Sequence, residues 1–310
     1  MSSVTTDRPS VSVIIPTRDR PHLLQRAVDS VLRQDYQGSV ECLVVFDQTR
    51  IQHIEWPVRT PNRWVRAVRN TRTPGLAGAR NTGYLAASGE LLGNCDDDDE
   101  WFPHKISAQV RLLTENATAS VVSSGVLISY GDRDIPRPAP GAPLDFADFI
   151  RHRHPEIHPS TFLTRRTVLE DGIGLVDEEI PASYAEDYEW LLRAARVGPV
   201  HAVPAPLVRV HWHAESYFST KWQKIHDALT WLLDAVPEFD RDPLGKGRIE
   251  GQIAFSAAAL GKRQDALAWL AKALRHNPGG RQAWASLLLL TGLATPERVL
   301  ALGHRFGRGI

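Results

Sequence analysis

The chain has 310 residues, 36 basic against 36 acidic, with 43 % hydrophobic and 23 % charged residues. That composition gives a globular protein with a sizeable core, one large domain or one domain plus an appendage. Zero net charge removes any bulk electrostatic case for binding nucleic acid or an anionic membrane, and two cysteines (Cys42, Cys95) without C-x-x-C spacing argue against a disulfide framework or a zinc cluster.

The opening MSSVTTDRPS has no apolar signal core. The longest apolar stretch, AWASLLLLTGLA, is well short of the ~20 residues that span a bilayer. The expectation is a chain without a transmembrane segment, cytoplasmic or peripheral to a membrane. In chain order, VSVIIP (11–16) reads as a buried strand. HLLQRAVDSVLRQ (22–34) puts Leu23, Leu24, Ala27, Val28, Val31 and Leu32 at helical spacing, and VECLVVF (40–46) reads as a second strand. Next come a helix at AGARNTGYLAAS (77–88), a strand at ELLGNC (90–95), a helix at HKISAQVRLLTE (104–115) and a strand at ASVVSSGVLIS (119–129). Such alternation predicts an α/β fold with a doubly wound, mostly parallel sheet, whose ligands bind at the carboxyl ends of strands. Asp47 and the run Asp96 to Asp99 fall at such ends.

The Pro/Gly-rich GDRDIPRPAPGAP (131 onward) reads as a loop, either a lid or a plain surface linker. STFLTRR, the helix YAEDYEWLLRAARVG (184–198) and strand-like PVHAVP and PLVRVHWH follow. Past Ser219 the pattern turns helical. Ala254, Gly261, Ala266, Leu270, Ala273 and Pro278 stand in an order that resembles a tetratricopeptide repeat, and Trp284 and Leu287 open a partial second one at the ~34-residue period. One and a half repeats cannot stand alone, so these helices are expected to pack on the main domain. The expected division is 1–218 and 219–310.

CDDDDEW (95–101) crowds four aspartates after an apolar strand, and carboxylates placed so close to a core need a cation. A solvated, helix-capping turn accounts for one or two of them. A calcium loop fails, because its sixth and twelfth positions hold Trp101 and Ser107 instead of glycine and glutamate. A D-x-D site for Mg²⁺ or Mn²⁺ against a diphosphate matches an acidic cluster open to a cleft.

The blocks VSVIIPTRDRPHLLQRAVDSVLRQ, ECLVVFD, GLAGARNTGYLAASGELLGNCDDDDEW, HPSTFLTRR, AEDYEWLLR and PLVRVHWHAES resemble, in order, the family-2 glycosyltransferases with the GT-A fold, over roughly residues 10 to 218. The resemblance implies a metal-dependent, inverting sugar transferase using a nucleotide-diphospho-sugar. It places Pro16, Thr17, Arg18 and Asp47 around the nucleotide base. A carboxylate such as Asp47 accepts from uracil N3–H, which favours a UDP-sugar. The family's common Asp-Asp-Gly-Ser is here Phe46-Asp47-Gln48-Thr49, one carboxylate fewer. Asp96 or Asp97 takes the ribose hydroxyls, Asp98 ligates the metal, and Asp99 orients a neighbour or caps the next helix. Arg80 contacts the nucleotide or forms a helix-surface salt bridge. Asp187 matches the family's base, with Glu186 and Glu189 as rivals, although acidic residues also suit a helix N-terminus. His213 matches a histidine that closes on the metal or diphosphate, and His211 lies on the same strand face. His158 and Trp212 are expected on the acceptor side or in plain packing.

Two other readings compete. A nucleotidyltransferase of related fold needs a glycine-rich phosphate loop with a lysine after the first strand, which PTRDRPHLL does not offer. A non-catalytic interaction protein would use the C-terminal helices, where Trp222, Trp231, Trp269 and Trp284 offer anchors for a homodimer or for an acceptor, or else pack in the core. The acceptor and the sugar are unspecified by sequence.

Overall fold

The structure is a computed structural model, and it describes residues 8–52, 60–212 and 221–305. Its elements are β1 (Val11–Thr17), α1 (Pro21–Leu32), β2 (Val40–Phe46), β3 (Arg63–Arg69), α2 (Leu76–Ala86), β4 (Leu91–Asn94), β5 (Glu100–Trp101), α3 (Lys105–Glu115), β6 (Val121–Tyr130) and β7 (Arg133–Arg137). After these come α4 (Phe146–Arg151), β8 (Leu163–Arg165), the single turn α5 (Arg166–Val168), α6 (Glu186–Val197), β9 (Val200–His211), and the helices α7 (Trp222–Ala235), α8 (Pro243–Ala259), α9 (Arg263–His276), α10 (Arg281–Leu290) and α11 (Pro296–Arg305).

The strands form one sheet in the order β3-β2-β1-β4-β8-β6-β9-β5, with β7 added on β6. The ladders β3-β2, β2-β1, β1-β4 and β6-β9 are parallel, and the short β8 runs antiparallel between β4 and β6. Every residue of β1 and β2 is buried, as expected for strands covered on both faces, which is why both read as unbroken apolar runs. The order 3-2-1-4 reverses direction at β1, and a sheet of this kind opens its ligand crevice at that reversal.

The register fixes what meets there. Thr17 pairs with Phe46 and Ile14 with Asn94, and the ladder continues through Asp47 N–H to the Thr17 carbonyl (2.9 Å) and Cys95 N–H to the Ile14 carbonyl (3.0 Å). Thr17, Asp47 and Asp96 therefore leave the sheet along one edge. Helix α2 lies close enough to β1 that a Cβ on Gly83 would come 2.4 Å from Ile14 Cγ2, so only glycine fits. The expected lid at 131–145 is partly strand: Arg133–Arg137 pairs antiparallel with β6. Pro136 sits within it, tolerated because β7 is an edge. PVHAVP and PLVRVHWH, read as separate strands, are one twelve-residue strand, β9.

The chain divides into two compact units. One holds residues 1–146, 154–178 and 190–212, and contains the sheet. The other holds 147–153, 179–189 and 213–310, and contains the C-terminal helices. In it Ala254, Leu270, Ala273 and Ala283 form a buried cluster against which Trp269 and Leu287 pack, and Trp222 meets Phe255 edge-on at 5.4 Å. Trp284 is 52 % exposed. No helix among the described residues is long and apolar enough to cross a membrane.

Candidate active site

The carboxyl edge of β1, β2 and β4 carries a dense polar network. Asp47 is buried, and its carboxylate accepts from Asn70 Nδ2 (2.8 Å), Gln48 Nε2 (2.9 Å) and the Gly75 N–H (3.1 Å). Gly75 has φ 127°, left-handed backbone that favours glycine and turns its N–H onto Asp47 just before α2 begins. Gln48 is exposed, so its amide can swing off the carboxylate and leave acceptor capacity for a ligand. Pro16 is buried in β1, and Arg18 extends into solvent beside Asp19.

Every aspartate of the acidic run is partnered, Asp97 and Asp98 sharing Arg20. Asp96 takes Arg80 Nη2 at 2.8 Å, with Arg80 rooted in α2 and only 3 % exposed. Asp97 accepts from Thr17 Oγ1 at 2.7 Å and lies 3.4 Å from Arg20 Nη2. Burial pushes its carboxyl up to about 7, against the opposing pull of Arg20 and Thr17. Asp98 accepts from Arg20 Nη1 at 2.7 Å. Asp99 accepts from Ser160 Oγ at 2.5 Å, and burial, with Asp96 and Asp98 adding to it, lifts its carboxyl well above the usual range.

His158 completes this corner. Its Nδ1 accepts from the Ser160 N–H at 3.3 Å and lies 3.5 Å from Asp99 Oδ2. An acceptor nitrogen facing an acceptor oxygen needs a proton or a cation between them. Asp96, Asp99 and His158 each present a ligand atom within 4.8 Å of the others, and two carboxylates with one imidazole suit an ion such as Mn²⁺. The donor chemistry therefore fits a divalent ion, through a set that includes Asp99 and His158 where the sequence pointed to Asp98.

Glu178 has no signature in the sequence, yet it braces this edge. It pairs with Arg72 and accepts from the Thr73 N–H (3.1 Å) and Asn81 Nδ2 (2.6 Å). Burial opposes ionisation, but Asn81, Thr73 and Arg72 together bring its carboxyl down to about 2. The 70–75 loop that supplies the partners of Asp47 is thus tied to the helix that supplies Arg80.

Asp187 belongs to the helical unit. It starts α6, and Arg153 Nη2 lies 2.6 Å from its Oδ2. The Arg153 guanidinium also stacks 4.7 Å over the Tyr188 ring, whose hydroxyl donates to the Phe149 carbonyl and accepts from Arg248 Nη2 (2.7 Å). Its rivals Glu186 and Glu189 are buried, at 4 % and 6 % exposure. In the sheet unit, His211 pairs with Glu100 at 2.7 Å, and Trp212 carries Arg137 over its ring at 5.1 Å. His213 lies outside the described residues.

A parallel-stranded α/β sheet with hydroxyl, carboxylate and guanidinium groups converging at its topological switch point defines a nucleotide-binding enzyme fold. The model of "Glycosyl transferase family 2" matches residues 12–173, and the chain belongs to that family. Among sequence relatives, the putative colanic acid biosynthesis glycosyl transferase WcaA of Escherichia coli K12 is 33 % identical over 105 residues, 33 % of this chain and 37 % of that protein. The E. coli UDP-Glc:alpha-D-GlcNAc-diphosphoundecaprenol beta-1,3-glucosyltransferase WfgD is 32 % identical over 110 residues, 34 % of this chain. The chain spans 37 % and 42 % of the length of these two relatives.

Among solved structures, S. aureus TarS 1–349 in complex with UDP-GlcNAc aligns over 96 % of this chain and 92 % of its own, with TM-score 0.57 and 17 % identity. The mannosyltransferase PcManGT of Pyrobaculum calidifontis, in complex with GDP-Man and Mn²⁺, aligns over 95 % of this chain and 83 % of its own, with TM-score 0.56 and 22 % identity. At these identities the likeness is one of fold, and the fold is GT-A.

Proposed function

We propose that this chain is an inverting, metal-dependent glycosyltransferase that moves a sugar from a nucleotide-diphospho-sugar, UDP-linked, to an acceptor hydroxyl. The observation that carries the reading is the gathering of Thr17, Asp47 and Asp96 to Asp99 on one sheet edge of a family-2 chain. WfgD takes UDP-Glc by its name and TarS was solved with UDP-GlcNAc, which supports a UDP-sugar here; PcManGT was solved with GDP-Man, so guanine is the other arm of the test.

In this reading Asp47 receives the base N–H, with Pro16, Thr17 and Arg18 beside it. Asp96 or Asp97 receives the ribose hydroxyls, and Arg80 sets the angle of Asp96. Asp98 from the sequence pattern, and Asp96, Asp99 and His158 from their grouping, are the chain's candidates to hold Mn²⁺ or Mg²⁺, with His213 as a further ligand. A bound divalent ion would neutralise the charge of the departing diphosphate. Asp187 accepts the proton of the acceptor hydroxyl as that oxygen displaces the nucleoside diphosphate from the anomeric carbon, with inversion. The Arg153 guanidinium orients that carboxylate. For the C-terminal region we infer a tetratricopeptide-like pairing of α8 with α9, Gly261 turning between them at φ 74°. Its use would be acceptor docking or homodimerisation in a cytoplasmic or membrane-peripheral protein.

Calorimetry of UDP and GDP with and without Mn²⁺ tests the donor side. Metal-enhanced binding of UDP is expected, and its absence for both nucleotides sinks the reading. Asp187→Asn is expected to lower turnover by about 10²–10⁴-fold with donor affinity unchanged. A β-linked product from an α-linked donor, read by the anomeric proton coupling, checks the inversion.

A further inference from the structure

Two arginines face the acidic run, and they are held very differently. Arg80 on Asp96 is 3 % exposed and rooted in a helix packed on β1, so it is held in place. Arg20 on Asp98 is 45 % exposed and stands in the connection between β1 and α1, immediately before Pro21. Its guanidinium bridges Asp98 Oδ2 (2.7 Å) and Asp97 Oδ1 (3.4 Å) through a long side chain with solvent on one side.

We propose that Arg20 is a displaceable counter-ion of the acidic run, which keeps the affinity for a divalent cation low until a nucleotide diphosphate gives its guanidinium another anion to pair with. The proposal rests on the donor-site reading above. A divalent ion bonds carboxylate oxygen at about 2.1 Å and so competes with Arg20 for the charge of Asp98. Two cations drawn to one carboxylate repel, and the more strongly when the second is divalent. Arg20 must therefore leave Asp98 for the ion to bind that carboxylate. Bidentate geometry makes a phosphate a good second partner for a guanidinium, and Thr17, three residues away, sits on the donor edge. Order of binding follows from charge: nucleotide and metal enter together, and neither sits well alone.

The test is Mn²⁺ titration of the full chain followed by the electron paramagnetic resonance signal of the free ion, with and without UDP. In the wild type, UDP is expected to raise Mn²⁺ affinity by 10-fold or more. Arg20→Met is expected to raise affinity in the absence of nucleotide by 10-fold or more and to shrink the UDP enhancement. Arg20→Lys, which keeps a displaceable cation, should stay within about threefold of the wild type. In the Asp98→Asn background, Arg20→Met should have no further effect, because the shared carboxylate is gone. Arg20→Met leaving nucleotide-free affinity within twofold of a wild type that does show UDP enhancement overturns the role of Arg20 and leaves the donor reading standing. No UDP enhancement in either protein overturns both, and circular dichroism melts exclude misfolding as the cause.

Discussion

Lys105 follows the acidic run by six residues and is wholly buried, its ammonium 3.5 Å from the Trp101 ring centroid and 2.7 Å from Gln109 Oε1. Burial pushes this amine down to about 7, and the neighbouring Cys95 thiol, itself pushed up by burial, stays neutral. The unfolded chain protonates Lys105 up to its ordinary value near 10.5, so between about pH 7 and 10 it binds more protons than the folded one, and folding gains stability as pH rises through that window. Below pH 7 both states are protonated and the buried charge costs its full amount. Lys105→Met removes the titration: the melting temperature of wild type minus variant should climb from pH 6 to pH 9. An offset that stays constant with pH would show that Lys105 contributes only packing. Residues of this kind mark the limit of sequence reading. Asp47 and Asp96 to Asp99 were legible as strand-end carboxylates because each follows an apolar strand run. Arg20, Glu178 and the pairing of Asp99 with His158 were not, because each partner comes from some 60 to 100 positions away and no local pattern encodes the register that joins them.

At the scale of elements, β1, β2 and α3 were readable almost to the residue, since strands buried on both faces and a helix with a clear apolar stripe leave unambiguous patterns. Strand β3, RWVRAVR, was missed because it is the sheet's outer strand and carries an arginine at every third position, Arg63, Arg66 and Arg69, which breaks the two-residue alternation that marks a strand while its charge blunts a free edge. Strand β7 was hidden by its proline. Helix α2 was visible, but the sequence did not show that one of its glycines is a spacing device: Gly83 lets α2 approach Ile14. Gly83→Ala should force the helix off β1 at a cost of about 1–3 kcal/mol, and with it shift Arg80 and weaken UDP binding. Ile14→Ala, which removes the atoms a new methyl would strike, should make the pair less destabilised than the sum of the two single variants. Additive losses in denaturant titrations would mean that the contact is not what fixes the helix.

At the scale of the molecule, the sequence suggested a cut near Ser219, with an appendage beyond it. The contact-defined units run differently, because 147–153 and 179–189 group with the C-terminal helices. Within that unit the joins are specific. Gly245 lies so near α4 that a Cβ on it would come 2.2 Å from the Ile150 carbonyl oxygen. Arg151 pairs with Asp242 at 2.8 Å, and Arg248 donates to the Tyr188 hydroxyl at 2.7 Å, one residue from Asp187. A chain ending at residue 219 keeps α4 and the start of α6 but loses α8, which covers them. Ile150 and Tyr188, now 3 % and 1 % exposed, would face water at about 1.5–3 kcal/mol each, and Tyr188, on which Arg153 stacks beside Asp187, would lose its hydrogen bond from Arg248. The 1–219 chain is therefore expected to melt at least 10 °C below the full chain or to aggregate, before any question of acceptor docking arises. Arg248→Met in the full chain isolates the site effect: it should lower turnover while leaving donor affinity within about twofold, since Arg248 supports the Asp187 turn and not the nucleotide edge. A 1–219 chain that melts with the full one, together with an Arg248→Met variant of unchanged turnover, would make the C-terminal helices an independent module.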